Sequence, residues 1–167
     1  MTGVQTCALP ISAPKTEPQS QAMAALKAAR VVVCGDSAAA QALSSRLQSA
    51  GVASTSGPSH DGRIAQVSGA VLYVTDGRTA TRRAAAQSDQ NVVLVDLALD
   101  YNKAKRLAIS IADQCTADAA AAAIGLLQAA GVAVSRFSDV PGLAVMRTVT
   151  MLANEAADAV NQGVCDV

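Results

Sequence analysis

The sequence predicts an α/β fold: a reduced Rossmann-like parallel sheet with flanking helices, followed by a long C-terminal helix that opens an all-α unit. Three observations carry this expectation. Residues 30–34, 70–74 and 91–95 are short, nearly continuous apolar runs rich in valine, the pattern of strands buried on both faces. Stretches with apolar residues at helical spacing separate them, as in sheets built from strand–helix–strand units. From Asp139 the chain reads as a strand exit, a Pro-Gly elbow and one amphipathic run that stops at Gly163.

Taken in order, Arg30-Val-Val-Val-Cys34 is a first strand. Gly35-Asp36-Ser37 turns the chain, and Asp36 or Ser37 is placed to cap the following helix. Ala40, Leu43, Leu47 and Ala50 recur at helical spacing, and Gly51 supplies the stop. Residues 52–55 read as a weak second strand, 56–59 as a turn and 61–67 as a short helix. Residues 70–74 form a clear strand ended by Thr75-Asp76-Gly77. Residues 79–88 are helical and basic on one side, and 91–95 are a third clear strand. Further on, 106–112 reads as a strand. Thr116 is a good N-cap with Asp118 in the first turn of an alanine-rich helix over 119–130, closed by Gly131. Residues 132–136 are a strand. Asp139 then caps the elbow, Pro141 suits a first helical position, and Leu143, Met146, Thr150, Ala153, Ala157 and Val160 share one face.

The organisation expected is fourfold. Within residues 1–11, Gly3-Val-Gln-Thr-Cys-Ala-Leu-Pro-Ile11 matches one reading frame of a common sequencing-library adapter and lacks the basic and apolar regions of a signal peptide. Residues 12–25 form a linker or disordered arm, rich in Ser, Pro, Gln, Lys and Glu. Residues 26–138 are the reduced Rossmann-like domain with its extension, and 139–167 begin a truncated helical domain.

The 13 basic and 13 acidic residues cancel and only 2% of the chain is aromatic, so no nucleic-acid partner is expected. No run approaches the roughly 18 apolar residues of a membrane span, so no membrane partner is expected, and a cytoplasmic location is the expectation. Cys7, Cys34, Cys115 and Cys165 contain no CxxC pair, and a lone His60 completes no metal site; the thiols read as reduced.

Three places are candidates for chemistry. A dinucleotide turn needs G-x-G-x-x-G: a glycine for the turn, one for approach of backbone to pyrophosphate, one for helix packing. Gly35-Asp-Ser-Ala-Ala-Ala40 keeps only the first, with Ser37 and Ala40 at the other positions and the charge of Asp36 beside the phosphate. Residues 52–57 hold no acid for the ribose. The turn Gly35, Ser37, Ala40 is therefore degenerate, and NAD is not expected to bind this chain. Asp76 and Asp96, at strand ends, could ligate a cation as in receiver domains, although aspartate there more simply caps helices. The cation would make the chain a free-standing, non-catalytic regulatory module, the alternative function. Asn154, Glu155 and Asp158 are read as facing solvent or a neighbour, and His60 as a solvated loop residue.

The third place is Asp139-Val-Pro-Gly-Leu-Ala-Val-Met-Arg147. It closely resembles the segment that opens the C-terminal helical domain of the 3-hydroxyacyl-CoA dehydrogenases, also called 3-hydroxybutyryl-CoA dehydrogenases, which runs Pro-Gly-Phe-x-x-Asn-Arg. Pro141, Gly142 and Arg147 fit, Leu143 stands for phenylalanine, and Met146 replaces the asparagine that helps hold substrate and catalytic histidine. A thioether cannot supply the amide's donor. The family's histidine opens a His-Phe-Phe-Asn-Pro segment. Its match here is Leu99-Asp-Tyr-Asn-Lys103, with Leu99 at the histidine and apolar Ile109 to Ile111 where the acidic partner would fall. The resemblance covers roughly residues 25–165, most strongly 96–165, and is similar to the rear half of the long bacterial enzymes, where a reduced Rossmann-like domain and a second helical domain follow an intact pair. It implies an NAD-dependent parent oxidising (3S)-hydroxyacyl-CoA to 3-oxoacyl-CoA in fatty-acid β-oxidation or aromatic-acid catabolism, with acyl-CoA bound through the missing catalytic half. It also implies that this piece is inactive alone, with no catalytic residue and no metal, and serves structure or dimerisation in a homo-oligomer. Leu143, Met146 and Val160 are expected to stay exposed in isolation.

Overall fold

The computed structural model describes residues 15–18, 26, 30–58 and 61–164, so residues 1–11, His60, Cys7 and Cys165 lie outside the described residues. Three strand–helix–strand units build the sheet. The first is β2 (Val31–Cys34), α1 (Ala38–Ser49) and β3 (Ser54–Gly57). The second is β5 (Ala70–Val74), α2 (Ala80–Gln87) and β6 (Val92–Val95). The third is β7 (Arg106–Ile111), α3 (Ala117–Ala129) and β8 (Ala133–Arg136). A two-residue edge strand β1 (Lys15–Thr16), strand β4 (Arg63–Val67) and helix α4 (Val145–Asn161) complete the elements. The strand order is β1-β8-β7-β6-β5-β4-β2-β3.

The fold is α/β and Rossmann-like, with a sheet that mixes directions. Each unit closes a parallel pair, and antiparallel pairings join the units and both additional strands. Strands β1, β2, β3, β5 and β6 run one way and β4, β7 and β8 the other. Right-handed crossovers then dictate the layers. The first two units step across the sheet in opposite senses, so α1 and α2 fall on opposite faces. The third steps like the second but with reversed strands, which returns α3 to the face of α1. The core agrees: Leu43 and Leu47 of α1 share one apolar cluster with Ile124 and Leu127 of α3, while Ala80 and Ala84 of α2 pack with Tyr73, Leu94 and Leu143 in another.

The helix starts follow local chemistry. Ser37 Oγ accepts from the Ala40 amide at 3.3 Å, Thr79 Oγ1 from Arg82 at 3.0 Å and Thr116 Oγ1 from Ala119 at 3.3 Å, so each helix of the sheet opens on a side-chain cap. Among the described residues no helix is long and apolar enough to cross a membrane.

Four expectations are corrected. Residues 61–67 are not helical: Arg63–Val67 is strand β4, hydrogen-bonded between β2 and β5. The missed signal is Ser68-Gly69, whose φ of +46° and +79° make the tight left-handed turn that closes a hairpin. The second strand lies two residues later than expected, at Ser54–Gly57, so Ser56 and Gly57 extend it instead of turning. A Cβ on Gly57 would stand 2.6 Å from Val32 Cγ1, which shows how closely this strand end packs. Within the expected linker 12–25, residues 15 and 16 pair with β8, and Glu17 N donates to Val134 O. Finally, α4 begins at Val145, so Leu143 precedes the helix and is buried, and Pro141 occupies a turn rather than a first helical position.

Candidate functional site

The carboxyl ends of β5 and β6, where Rossmann-like sheets place their sites, meet the segment leading into α4. Two aspartates organise the junction, each capping a helix remote from it in sequence. Asp139, just after β8, accepts from Ala80 N at 2.7 Å and Thr81 N at 2.8 Å, so it caps α2. Asp96, at the end of β6 and 2% exposed, accepts through Oδ2 from Ala144 N and Val145 N, both at 3.0 Å, so it caps α4. The expected cap of the elbow by Asp139 is thus corrected: the elbow is capped by Asp96. A carboxylate satisfies the orphan amides of a helix start and lies at the positive end of its dipole, which is why both positions hold aspartate.

Asp76 has different partners. It accepts from Arg78 N at 3.1 Å and from the Arg83 guanidinium at 2.6 Å. Burial alone would lift its carboxyl, but the hydrogen bonds from Arg78 and the charge of Arg83 outweigh that and hold it below the usual carboxylate range. Arg83 is 1% exposed, stacks 4.0 Å above the Tyr73 ring and also donates to the carbonyl and carboxylate of Asp61. Tyr73 in turn donates to Asp89 at 3.0 Å and accepts from Arg63. The sequence suggested only a basic helix side here; an arginine stacked under a hairpin leaves no local signature. Asp76 and Asp96 are therefore engaged with arginines and helix amides respectively. Among the described residues, no group of three or more His, Cys, Asp or Glu is placed to hold a metal ion.

At the turn of Gly35, Ser37 and Ala40 the backbone amides of Gly35 and Ala40 have partners within the chain. Gly35 has the left-handed φ of +78° and its amide donates to Gly57 O, and the Ala40 amide is taken by Ser37 Oγ. Ala40 is fully buried against the sheet, so of the three positions it keeps the packing role. The positions matched to the dehydrogenase chemistry are scattered. Leu99 stands fully exposed in the β6–β7 loop, whereas Ile109 and Ile111 are buried in β7. Nearby, Tyr101 Oη donates to Asp96 O at 3.2 Å. Met146, half-buried, has its sulfur 3.4 Å from where a Gly77 Cβ would stand. Together with Pro141, Gly142, Arg147, Thr150 and Met151 these two residues line an open hollow of about 290 Å3. Asn154, Glu155 and Asp158 face outward on α4, where Asp158 accepts from Gln162. Burial pushes up the thiols of Cys34 and Cys115, disfavouring the reactive thiolate.

Comparison with known proteins agrees with this geometry. Residues 72–141, from β5 through Asp96 and Asp139 to Pro141, match the 3-hydroxybutyryl-CoA dehydrogenase reduced Rossmann-fold domain. The structure of 3-hydroxybutyryl-CoA dehydrogenase from Escherichia coli K12 is 33% identical with a TM-score of 0.52, over 64% of this chain and 21% of that one. Two further solved structures share the fold. M. tuberculosis FadB2 is 17% identical with a TM-score of 0.50, over 81% of this chain and 45% of its own. An NAD+-dependent dismutase, 5-formyl-3-hydroxy-2-methylpyridine 4-carboxylic acid 5-dehydrogenase, is 16% identical with a TM-score of 0.50, over 81% and 40%. No match is found among curated proteins. The chain spans about a fifth of the length of the E. coli enzyme. Through both capping aspartates, the chain is thus similar to the reduced Rossmann-fold domain of the 3-hydroxybutyryl-CoA dehydrogenases.

Proposed function

We propose that this domain serves an NAD-dependent 3-hydroxyacyl-CoA dehydrogenase as a non-catalytic, structural part. The observation that carries the proposal is the match of residues 72–141 to that enzyme family's reduced domain. In the parent reaction a hydride leaves C3 of (3S)-hydroxyacyl-CoA for NAD+ while a base takes the hydroxyl proton, giving the 3-oxoacyl-CoA. Leu99 and Met146 stand where the resemblance puts the histidine and the asparagine, and neither side chain can take or hold that proton. NAD and acyl-CoA would then be handled by another part of the enzyme, in cytoplasmic fatty-acid or aromatic-acid catabolism.

The structural role proposed is packing and homo-oligomerisation through α4. Val145, Val149, Leu152, Ala156 and Ala159 follow each other at alternating spacings of four and three, a seam suited to a second helix. Val145, Val149 and Leu152 are exposed at 40%, 59% and 65%. Arg147 near one end and Asp158 near the other would face each other in an antiparallel pair of copies. The regulatory alternative loses support, because the carboxylates it would need for a cation already hold arginines and helix amides.

Three measurements test this. The chain should neither oxidise NADH with acetoacetyl-CoA nor quench NADH fluorescence; turnover would refute the non-catalytic role. Sedimentation should show self-association that Leu152→Ser abolishes; a monomer at all concentrations refutes the oligomer. In-frame sequence upstream of Ser12 should encode G-x-G-x-x-G and His-Phe-Phe-Asn-Pro motifs; a reading frame that starts near Ser12 would remove the dehydrogenase parent.

A further inference from the structure

We infer that residues 139–145 form a two-carboxylate joint that aims α4 with little help from the helix's own side chains. No residue of α4 is buried, and Met146, half-buried beside Gly77, lies in its first turn, so packing along the rest of its length does not fix its direction. Its root is fixed at three points instead. Asp139 ties the start of the segment to α2 through the amides of Ala80 and Thr81. Leu143, 1% exposed, plugs the core between α2 and β6. Asp96 grips the end through the amides of Ala144 and Val145.

The backbone between the grips is bent to suit. Gly142 and Leu143 both take left-handed φ, +74° and +50°. Leucine rarely adopts that conformation, so the surrounding contacts must hold it there. Asp96 is itself held, since Oδ1 accepts from Leu97 N at 2.8 Å and Tyr101 Oη donates to the Asp96 carbonyl. Two caps are exchanged between elements: β6 supplies the cap of α4, and the approach to α4 supplies the cap of α2, the helix that leads into β6. Three separate attachments restrain the root on both sides, so α4 extends from the sheet as a rigid arm. This holds whether or not α4 self-associates, because every contact named is within one chain.

Amide exchange and residual dipolar couplings on the full chain test the joint, at a concentration where sedimentation shows a single species. In the unsubstituted protein the couplings of α4 should fit the alignment tensor of the sheet, and the Ala144 and Val145 amides should be protected. Asp96→Ala should speed exchange of those two amides by about tenfold or more, leave the β5–β6 amides protected, and give α4 a separate, weaker alignment. Should Asp96→Ala not fold, Asp96→Asn keeps the shape but leaves one oxygen for two sets of donors and must loosen the same amides. Unchanged exchange at Ala144 and Val145 in the folded variants overturns the joint. So does an α4 that already aligns separately from the sheet in the unsubstituted protein.

Discussion

Helices α3 and α4 are both rich in alanine and end up in opposite environments. Nine of the 13 residues of α3 are buried, and none of the 17 of α4. Apolar content alone does not separate them, since α4 carries valines, methionines and a leucine as α3 carries leucines and an isoleucine. Connection does. Helix α3 links β7 to β8, which are parallel neighbours, so the chain must cross one sheet face and cover it. Alanines and Gly125 let its backbone lie close, and Ile124, Leu126 and Leu127 fill the space above β4 and β5. Helix α4 follows β8 and returns to no strand among the described residues. An amphipathic pattern therefore states which face wants cover, and only a crossover guarantees that the same domain supplies it.

The largest effect expected breaks or confirms that contrast directly. Leu126→Ala empties a site with no exposure and should cost about 2–5 kcal/mol in urea unfolding. Leu152→Ala removes the same side-chain carbons from α4 and should change the stability of the monomer by no more than about 0.5 kcal/mol. Equal losses measured under monomeric conditions would mean that α4 is covered within its own chain, and the comparison would collapse.

What the sequence disclosed follows the same division. The strands at 31–34, 70–74 and 92–95, the cap Thr116 and the cap narrowed to Asp36 or Ser37 were legible because a continuous apolar run or an N-cap acts within a few residues, whereas Thr79 was read only as the start of a helical stretch. Strand β4 was hidden because Arg63-Ile-Ala-Gln-Val67 is short and mixed, and its hairpin depends on a Ser-Gly turn rather than the stronger Asn-Gly. Edge strand β1 was hidden in a polar segment that gains its place from backbone pairing alone. At the junction, aspartate was expected to cap helices, but Asp96 and Asp139 each serve a helix distant in sequence. Exchange of caps is a property of the assembled sheet, and no local pattern encodes it. Leu143 was expected on the exposed face because helical spacing was counted from the elbow, whereas the left-handed pair Gly142-Leu143 resets the phase and turns the side chain into the core. The pattern of the dehydrogenase segment was legible in Pro141 and Gly142, which lie in the turn, and in Arg147 of α4, while Met146 departs from the family residue.

Helix α2 sharpens the contrast with α3, because ions hold it as well as hydrocarbon. The Asp76 carboxyl is held below its usual range by Arg78 and Arg83 against the opposing effect of burial. A depressed carboxyl contributes stability above its unfolded value and loses it as the pH falls through the folded one. Acidification below about pH 4 should therefore speed amide exchange in α2 before it does so in α3. Asp76→Asn should reproduce the loosening of α2 at neutral pH and flatten its acid dependence. Simultaneous loss of both helices in acid would show that the ion network adds nothing local to α2.

The smallest effect is spectroscopic, and it probes the two elements at the ends of the comparison. The chain has two tyrosines, Tyr73 in the core under α2 and Tyr101 in the loop that supports the root of α4. Both phenols are raised, in each case chiefly by burial. The Tyr73 phenol is lifted further by Asp89 and lowered in part by Arg63, and the Tyr101 phenol is lifted further by the charge of Asp96. A raised phenol stabilises the fold below its unfolded value and loses that contribution as the pH rises through the folded one, so alkali should unfold the domain as the tyrosines ionise. Absorbance near 295 nm should show less phenolate in the folded protein around pH 10 than in urea, where both tyrosines titrate at their ordinary value. Tyr73→Phe leaves Tyr101 as the sole reporter, and adding Asp96→Asn should bring it part of the way back toward its ordinary range. A Tyr101 that titrates normally from the outset would mean that the loop beneath α4 is open to water, and the arm would then rest on Leu143 and the Asp139 cap alone.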